Sequence, residues 1–263
     1  MTKRISGTKE WADQNFNCLE GCEHNCRYCY ARAMAMRFRR VKSESQWARP
    51  RIKHDKVERR MGKIAKKAVM FPTTHDITPG TLETCLTVLE HLLLGGNHVL
   101  VVSKPHRDCI ETICNRFGDY KDRILFRFTI GAFDNDVLRY WDRDAPLFEE
   151  RFASLKHAIH AGYGTSVSIE PMLDAKNVVK LFRKLKPYVT DAIWIGKMNR
   201  IRNCMTIRTK EDARRVAEIE AGQTDEKIRA IYAALKKEPK VKWKESIKAV
   251  VGLRLAAKPG LDV

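Results

Sequence analysis

From residue 68 to residue 197 the sequence alternates short apolar runs with longer amphipathic ones, and that rhythm leaves few folds open. "AVMFPTTHD" (68–76), "HVLVVSK" (98–104), "ILFRFTIGA" (124–132), "GTSVSIEPM" (164–172) and "DAIWIGK" (191–197) read as buried strands. Their near-continuous Val, Ile, Leu and Phe content is that of a parallel sheet covered on both faces. Between them, "TPGTLETCLTVLEHLLLGG" reads as a helix with Thr78 as N-cap, Pro79 in its first turn and Gly95-Gly96 at its end. "RDCIETICNRFG", "DAPLFEERFASLKHAIHAG" and "AKNVVKLFRKLKPY" are helices of the same kind, the second of them started by Asp144. Alternation of this sort predicts an α/β fold with parallel strands and crossover helices. With a strand just before residue 18 there are about six units, short of the eight that close a barrel. An open doubly wound sheet fits the same periodicity, but no G-x-G-x-x-G follows the first strand to support dinucleotide binding.

Upstream of this region lies "GCEHNCRYCY" (21–30), with Cys22, Cys26 and Cys29 in C-x3-C-x2-C spacing and Cys18 just before it. Four of the eight cysteines thus fall within twelve residues. A lopsided distribution suits a metal site better than a disulfide framework. Three thiolates can each bind a different iron of a cubane cluster, leaving one iron with an open position. Zinc is the alternative, but structural zinc sites pair two cysteine knuckles across a longer loop, and no second knuckle follows. Soft sulfur ligands argue against magnesium or calcium.

The loop resembles that of the radical S-adenosylmethionine (radical SAM) superfamily, including the aromatic Tyr28 before the last cysteine. "CEHNCRYCYAR" is similar to the spore photoproduct lyase branch and its uncharacterised relatives. "THDIT", "VVSKP", "RFTI", "FEERFASLKHAIHAGY" and "SVSIEPM" follow in matching order, so that the likeness spans roughly residues 15–200. It implies a partial (β/α)6 barrel with a [4Fe–4S] cluster on Cys22, Cys26 and Cys29 at the C-terminal end of the strands. It also implies SAM chelated to the open iron, cleavage of SAM to a 5′-deoxyadenosyl radical, and a reductant such as flavodoxin or ferredoxin. Residue by residue, it puts Thr74 near the SAM amino group and Lys104 and Thr129 near its carboxylate. Arg151 falls in a similar context or is an exposed helix arginine, and Glu170 faces the site or pairs with a lysine. Tyr28 lies near the adenine or shields the cluster. One departure matters: the lyases carry a hydrogen-donating cysteine at the end of the second strand, where this chain has "FPTTHD". Cys204, in "RIRNCMT", could approach the site as a chemical thiol.

Around this barrel the division reads 1–15 as a lead-in, 16–203 as the partial barrel with a basic insertion at 42–66, and 204–263 as a helical extension. The insertion is expected to be exposed and to end in a short helix. "KEDARRVAEIEAG", "TDEKIRAIYAALKKE" and "VKWKESIKAVVG" are expected to be amphipathic helices across the barrel's open side. No apolar run reaches eighteen residues and the first residues are polar, which points to a cytoplasmic chain without a membrane span or secretory signal. Lys and Arg total 50 against 32 acidic residues, a net charge of +18, and a field of that sign attracts polyanions. The expected substrate is therefore DNA or RNA, with Trp47, Trp141 and Trp243 as stacking groups if they are not core. A peptide or small metabolite is the second reading. A non-catalytic, zinc-bearing nucleic-acid-binding protein is the third.

Overall fold

The computed structural model describes residues 5–260. The strands are β1 (Gln14–Asn15), β2 (Leu19–Glu20), β3 (Arg51–Ile52), β4 (Val69–Phe71), β5 (Val99–Ser103), β6 (Ile124–Thr129), β7 (Gly164–Ile169), β8 (Ile193–Ile195) and β9 (Val241–Trp243). Seven of them form one sheet in the order β1-β4-β5-β6-β7-β8-β9, parallel throughout. β2 and β3 form a separate antiparallel pair. This is the expected α/β partial barrel, an open parallel half-barrel with helices between its strands.

Side-chain alternation explains the apolar strands. Val99 and Val101 of β5 pack outward among the helices, while Leu100 and Val102 pack inward with Met70, Ala12, Trp11 and Leu125. Both faces are dry, so both must be apolar. One polar residue of the inner face is Arg127, whose guanidinium lies 5.0 Å from the Trp11 ring and 5.3 Å from the Trp194 ring and 3.0 Å from Asp191. Trp11 belongs to the lead-in, which therefore plugs the concave face. Residues 1–4 of that lead-in and 261–263 of the tail lie outside the described residues.

Helices follow the capping chemistry. Thr78 and Thr81 form a capping box ahead of the Leu82–Leu94 helix, and Thr224 caps the Asp225–Leu235 helix. The third sheet-flanking helix starts at Phe148, not at Asp144, and a helix at Asn135–Trp141 precedes it unannounced. The insertion is more ordered than its charge suggests. It contains the Glu44–Trp47 helix, β3 and the His54–Val57 helix, and ends without helix.

The tail is not wholly helical. In "VKWKESIKAVVG" residues 241–243 form β9, which pairs with β8 and extends the sheet edge, and the helix runs only over Glu245–Val251. Just beyond β9, Lys244 is fully buried. Its ammonium lies 2.7 Å from Glu10, 3.4 Å from Glu170 and 2.7 Å from the Gly7 carbonyl, and 4.3 Å from the Trp11 ring centroid. A buried cation survives only when so paired. The lead-in and the tail are thereby tied to each other inside the half-barrel. No helix among the described residues is long and apolar enough to cross a membrane.

Candidate functional site

The cysteine loop sits against the C-terminal ends of β4 and β5, where loop residues of parallel α/β folds carry function. Gly21 makes its entry possible. Its φ is +116°, and a Cβ there would meet the Trp47 carbonyl at 2.6 Å. The Cys22 amide bonds that same carbonyl at 2.9 Å. At the far end Cys29 caps the Tyr30–Arg37 helix, its thiol accepting from the Arg32 amide. Buried Arg32 reaches back to the Asn25 side chain at 3.0 Å and the Arg27 carbonyl at 2.8 Å, fixing the loop from inside. Arg27 in turn bonds Asp212 of the Lys210–Gly222 helix at 3.1 Å and lies over the Tyr140 ring at 4.3 Å.

Cys22 and Cys26 are buried and Cys29 is half-buried. Burial pushes all three thiols up, and Lys104 pulls each of them back. Such thiols keep their protons in water-poor surroundings unless a soft metal replaces them. Around one tetrahedral zinc, Zn–S bonds of about 2.3 Å would hold the sulfurs roughly 3.8 Å apart. Among the described residues the trio of potential ligands whose donor atoms all lie within 4.8 Å is Cys22, His24 and Asp76, not the three thiols. The three thiols are not a donor set drawn together around one ion, and their C-x3-C-x2-C spacing on one loop suits three corners of a multi-iron cluster. The Cys22–His24–Asp76 trio is already committed to protein partners. Asp76 accepts His24 Nδ1 at 2.9 Å, the Lys104 amide at 2.7 Å and the Ser103 hydroxyl at 3.0 Å, while His24 Nε2 meets His106 at 2.9 Å.

Asp76 is the hub of the site. Burial would raise its carboxyl, but Lys104 and His24 hold it well below the usual range. Burial likewise disfavours the Lys104 ammonium, yet Asp76 first, then Cys26, Tyr28 and Asp142, keep its pKa well above normal. Lys104 Nζ lies 3.5 Å from Asp76 and 5.8 Å from the Tyr28 ring centroid. A second buried chain runs from the loop. The Tyr28 hydroxyl donates to Asp142, and Asp142 accepts Arg151 at 2.9 Å. Arg151 is fully buried, not an exposed helix arginine. Its other donors go to the carbonyls of Pro146 at 2.6 Å and Thr129 at 3.2 Å, so it holds the wall of the site together.

Thr74 and Thr129 are half-buried beyond the ends of β4 and at the end of β6, and neither hydroxyl has a partner among the described residues. Glu170 follows β7 and pairs with Lys244 at 3.4 Å, with burial pushing its carboxyl up. Cys204 is half-buried in the Ile201–Cys204 helix, which packs against the Tyr30–Arg37 helix, and burial, then the Cys29 thiol, pushes its own thiol up. Cys18 is apart from the trio, fully buried with its sulfur 3.8 Å from His75 Nε2. Cys85, Cys109 and Cys114 are buried on helices, as expected of small core residues. Trp47, Trp141 and Trp243 are core as well, which removes them as stacking groups.

Sequence reasoning passed over Asp76, His106 and Asp142, and weighed His24 only as an awkward fourth zinc ligand. The signal for Asp76 was present: a carboxylate shortly past a strand's C-terminal end. The others carry no signal until the fold brings them together.

No protein-family model matches the sequence, and no curated protein matches it either. Among solved structures, spore photoproduct lyase complexed with dinucleoside spore photoproduct superposes with a TM-score of 0.58 at 14% identity, over 92% of this chain and 78% of that one. A cysteine-to-alanine mutant of spore photoproduct lyase superposes with a TM-score of 0.57 at 13% identity, over 92% and 78% of the two chains. A fainter likeness is to Streptococcus suis SuiB bound to S-adenosylmethionine, with a TM-score of 0.49 at 8% identity, over 97% of this chain and 54% of that one. At such identities the likeness is one of architecture: the chain has the partial-barrel fold of spore photoproduct lyase.

Proposed function

We propose that this chain is a radical SAM enzyme that acts on a nucleic acid. The observation that carries the reading is the C-x3-C-x2-C trio at the C-terminal mouth of a parallel half-barrel. Cys22, Cys26 and Cys29 would hold three irons of a [4Fe–4S] cluster. When bound, the cluster and SAM supply a 5′-deoxyadenosyl radical that abstracts hydrogen from a substrate.

The chain's own residues then have distinct tasks. Lys104, fixed in its charged form by Asp76, attracts the SAM carboxylate. Thr74 and Thr129 offer free hydroxyls to its polar groups, and Glu170 offers a carboxylate whose charge Lys244 partly offsets. Tyr28 and the Asp142–Arg151 pair form a dry wall beside the thiols and exclude water. Arg151 is a positioning residue, since its donors are spent on protein groups. Cys204 is the thiol in reach that could return a hydrogen atom, in place of the cysteine that the stretch after β4 lacks. The physiological reductant belongs to the flavodoxin or ferredoxin class. The nucleic-acid assignment rests on the +18 charge, and the likeness to a structure holding a dinucleoside supports it.

Anaerobic reconstitution with iron and sulfide tests the chemistry. The expected result is a brown protein that, reduced in the presence of SAM, releases 5′-deoxyadenosine. Alanine at Cys22, Cys26 or Cys29 should each abolish iron binding, while Cys18→Ala should retain it. Colourless protein with zinc and no iron would overturn the reading.

A further inference from the structure

A groove of about 80 Å³ opens beside the Tyr30–Arg37 helix, with Leu19, Tyr30, Met34, Trp47, Lys53 and Thr74 among its lining. Tyr30 directly follows Cys29, and its hydroxyl donates to the Thr73 carbonyl at 2.7 Å. Thr74 is shared between the groove and the candidate SAM site. The groove therefore leads from the barrel mouth outward along the helix.

Its outer wall is apolar where water should have excluded such groups. Tyr30, Met34 and Phe38 lie at i, i+4 and i+8, one side of the helix, and are 47%, 47% and 63% exposed. Of the eight large hydrophobic residues exposed among those described, Tyr30, Met34, Met36, Phe38 and Ile52 fall on this helix or on β3 beside it. Such clustering marks a surface built to be covered. Cations rim it. The Arg37 guanidinium lies 5.9 Å from the Phe38 ring centroid, and Arg40 and Lys53 line the groove. The one acid in the lining, Glu20, is shared by Arg40 at 3.3 Å and Arg51 at 2.8 Å, and among the described residues no acid pairs with Arg37, Arg39 or Lys53.

We infer that this helix face is the track for a single-stranded stretch of the nucleic acid, with bases stacked on Phe38 and Met34 and phosphates held by Arg37, Arg39, Arg40 and Lys53. The inference rests on the nucleic-acid reading above and says where the strand lies. Flat apolar groups interleaved with cations are the two components of sequence-tolerant single-strand binding.

The test is fluorescence anisotropy of a labelled 12-nucleotide oligo-dT on anaerobically reconstituted enzyme, beside the matching duplex and a 12-residue oligoglutamate. Phe38→Ala and Met34→Ala change exposed groups, and Leu94→Ala, 67% exposed on another helix, is the control. Phe38→Ala should weaken oligo-dT binding about 5- to 150-fold, the worth of one stacked base, with its salt dependence unchanged. Arg37→Gln with Arg39→Gln should instead flatten the log–log salt slope by roughly 0.7 for each phosphate no longer neutralised. Leu94→Ala should bind as wild type. If wild type binds oligo-dT and the Phe38 and Met34 variants bind equally well, the track is wrong and the nucleic-acid reading stands. If wild type binds no nucleic acid at any salt concentration, that reading falls and the track with it. If oligoglutamate binds and Phe38→Ala weakens it as much as oligo-dT, the face is a site for acidic peptides and the inference is overturned.

Discussion

Replacing Arg151 with methionine keeps most of the side chain's volume and removes its charge. Asp142, 1% exposed, then keeps the Tyr28 hydroxyl as its one side-chain partner. Breaking a buried pair from one side costs about 3–5 kcal/mol because the surviving charge is left in a dry interior. Two carbonyls, of Pro146 and Thr129, lose their donors as well, adding on the order of 1–3 kcal/mol. Against a typical total of about 5–15 kcal/mol, Arg151→Met should consume a large part of the stability. In urea, with an m-value of about 3 kcal/mol/M, the midpoint should fall by at least about 1 M. The loss should also depend on pH. In the native protein burial would raise the Asp142 carboxyl, but Arg151, Lys104 and Tyr28 hold it below the usual range, so its contribution is present above the unfolded value of about 3.9 and lost only in stronger acid. In the variant burial wins and the folded pKa rises, so stability falls as pH climbs from about 3.9 through that raised value. The gap between the two proteins should therefore widen above about pH 4. Arg151→Met combined with Asp142→Asn should recover most of it. A loss below about 1 kcal/mol, a gap flat with pH, or a double variant no better than the single one would refute the argument.

Lys104→Met should weaken SAM binding about ten- to a hundredfold by equilibrium dialysis, the worth of a charge-assisted contact of about 1.5–3 kcal/mol, with iron content retained. Burial, and a proton shared with Glu245, raise Glu10 to about 8, so the folded protein binds a proton that the unfolded chain releases. Stability should then fall between about pH 4.3 and 8, by at most about 1.4 kcal/mol per unit, and Glu10→Gln should remove that slope in urea titrations. Asp212→Ala frees Arg27 and Tyr140, and the reconstituted variant should lose its visible absorbance in air faster than wild type. Equal decay would separate the Lys210–Gly222 helix from protection of the loop.

The βα units were legible because a strand buried on both faces is apolar without interruption, and no other element of four to six residues has reason to be. β9 was hidden for the opposite reason. In "VKWK" the inward positions are Lys242 and Lys244, which read as the polar side of a helix. Lys244 is tolerated inside because Glu10 and the Gly7 carbonyl, more than two hundred residues earlier, and Glu170 all lie within 3.4 Å. Arg151 misled in the same way, since an arginine on a helix looks solvated until its carboxylate is found. The cysteine trio was legible from spacing alone, because neighbouring ligands on one loop need no fold to meet. Asp76 and His24 meet across 52 positions and gave no such sign. The exposed apolar groups are Phe38 and Met34, not the tryptophans, because size does not decide which large side chain stays outside.

The Arg27–Asp212 bond joins residues 185 positions apart. On a ribosome adding about 5–20 residues per second, the cysteine loop emerges roughly 9–37 s before the helix that anchors Arg27. A nascent chain thus passes through a window in which the thiols are made and the anchor is not. Assembly factors delivering iron and sulfide then meet a looser loop than that of a finished apoprotein. Maturation should accordingly be faster during synthesis than after it, and a slow reconstitution in vitro would measure release of the anchor, not the chemistry of the cluster.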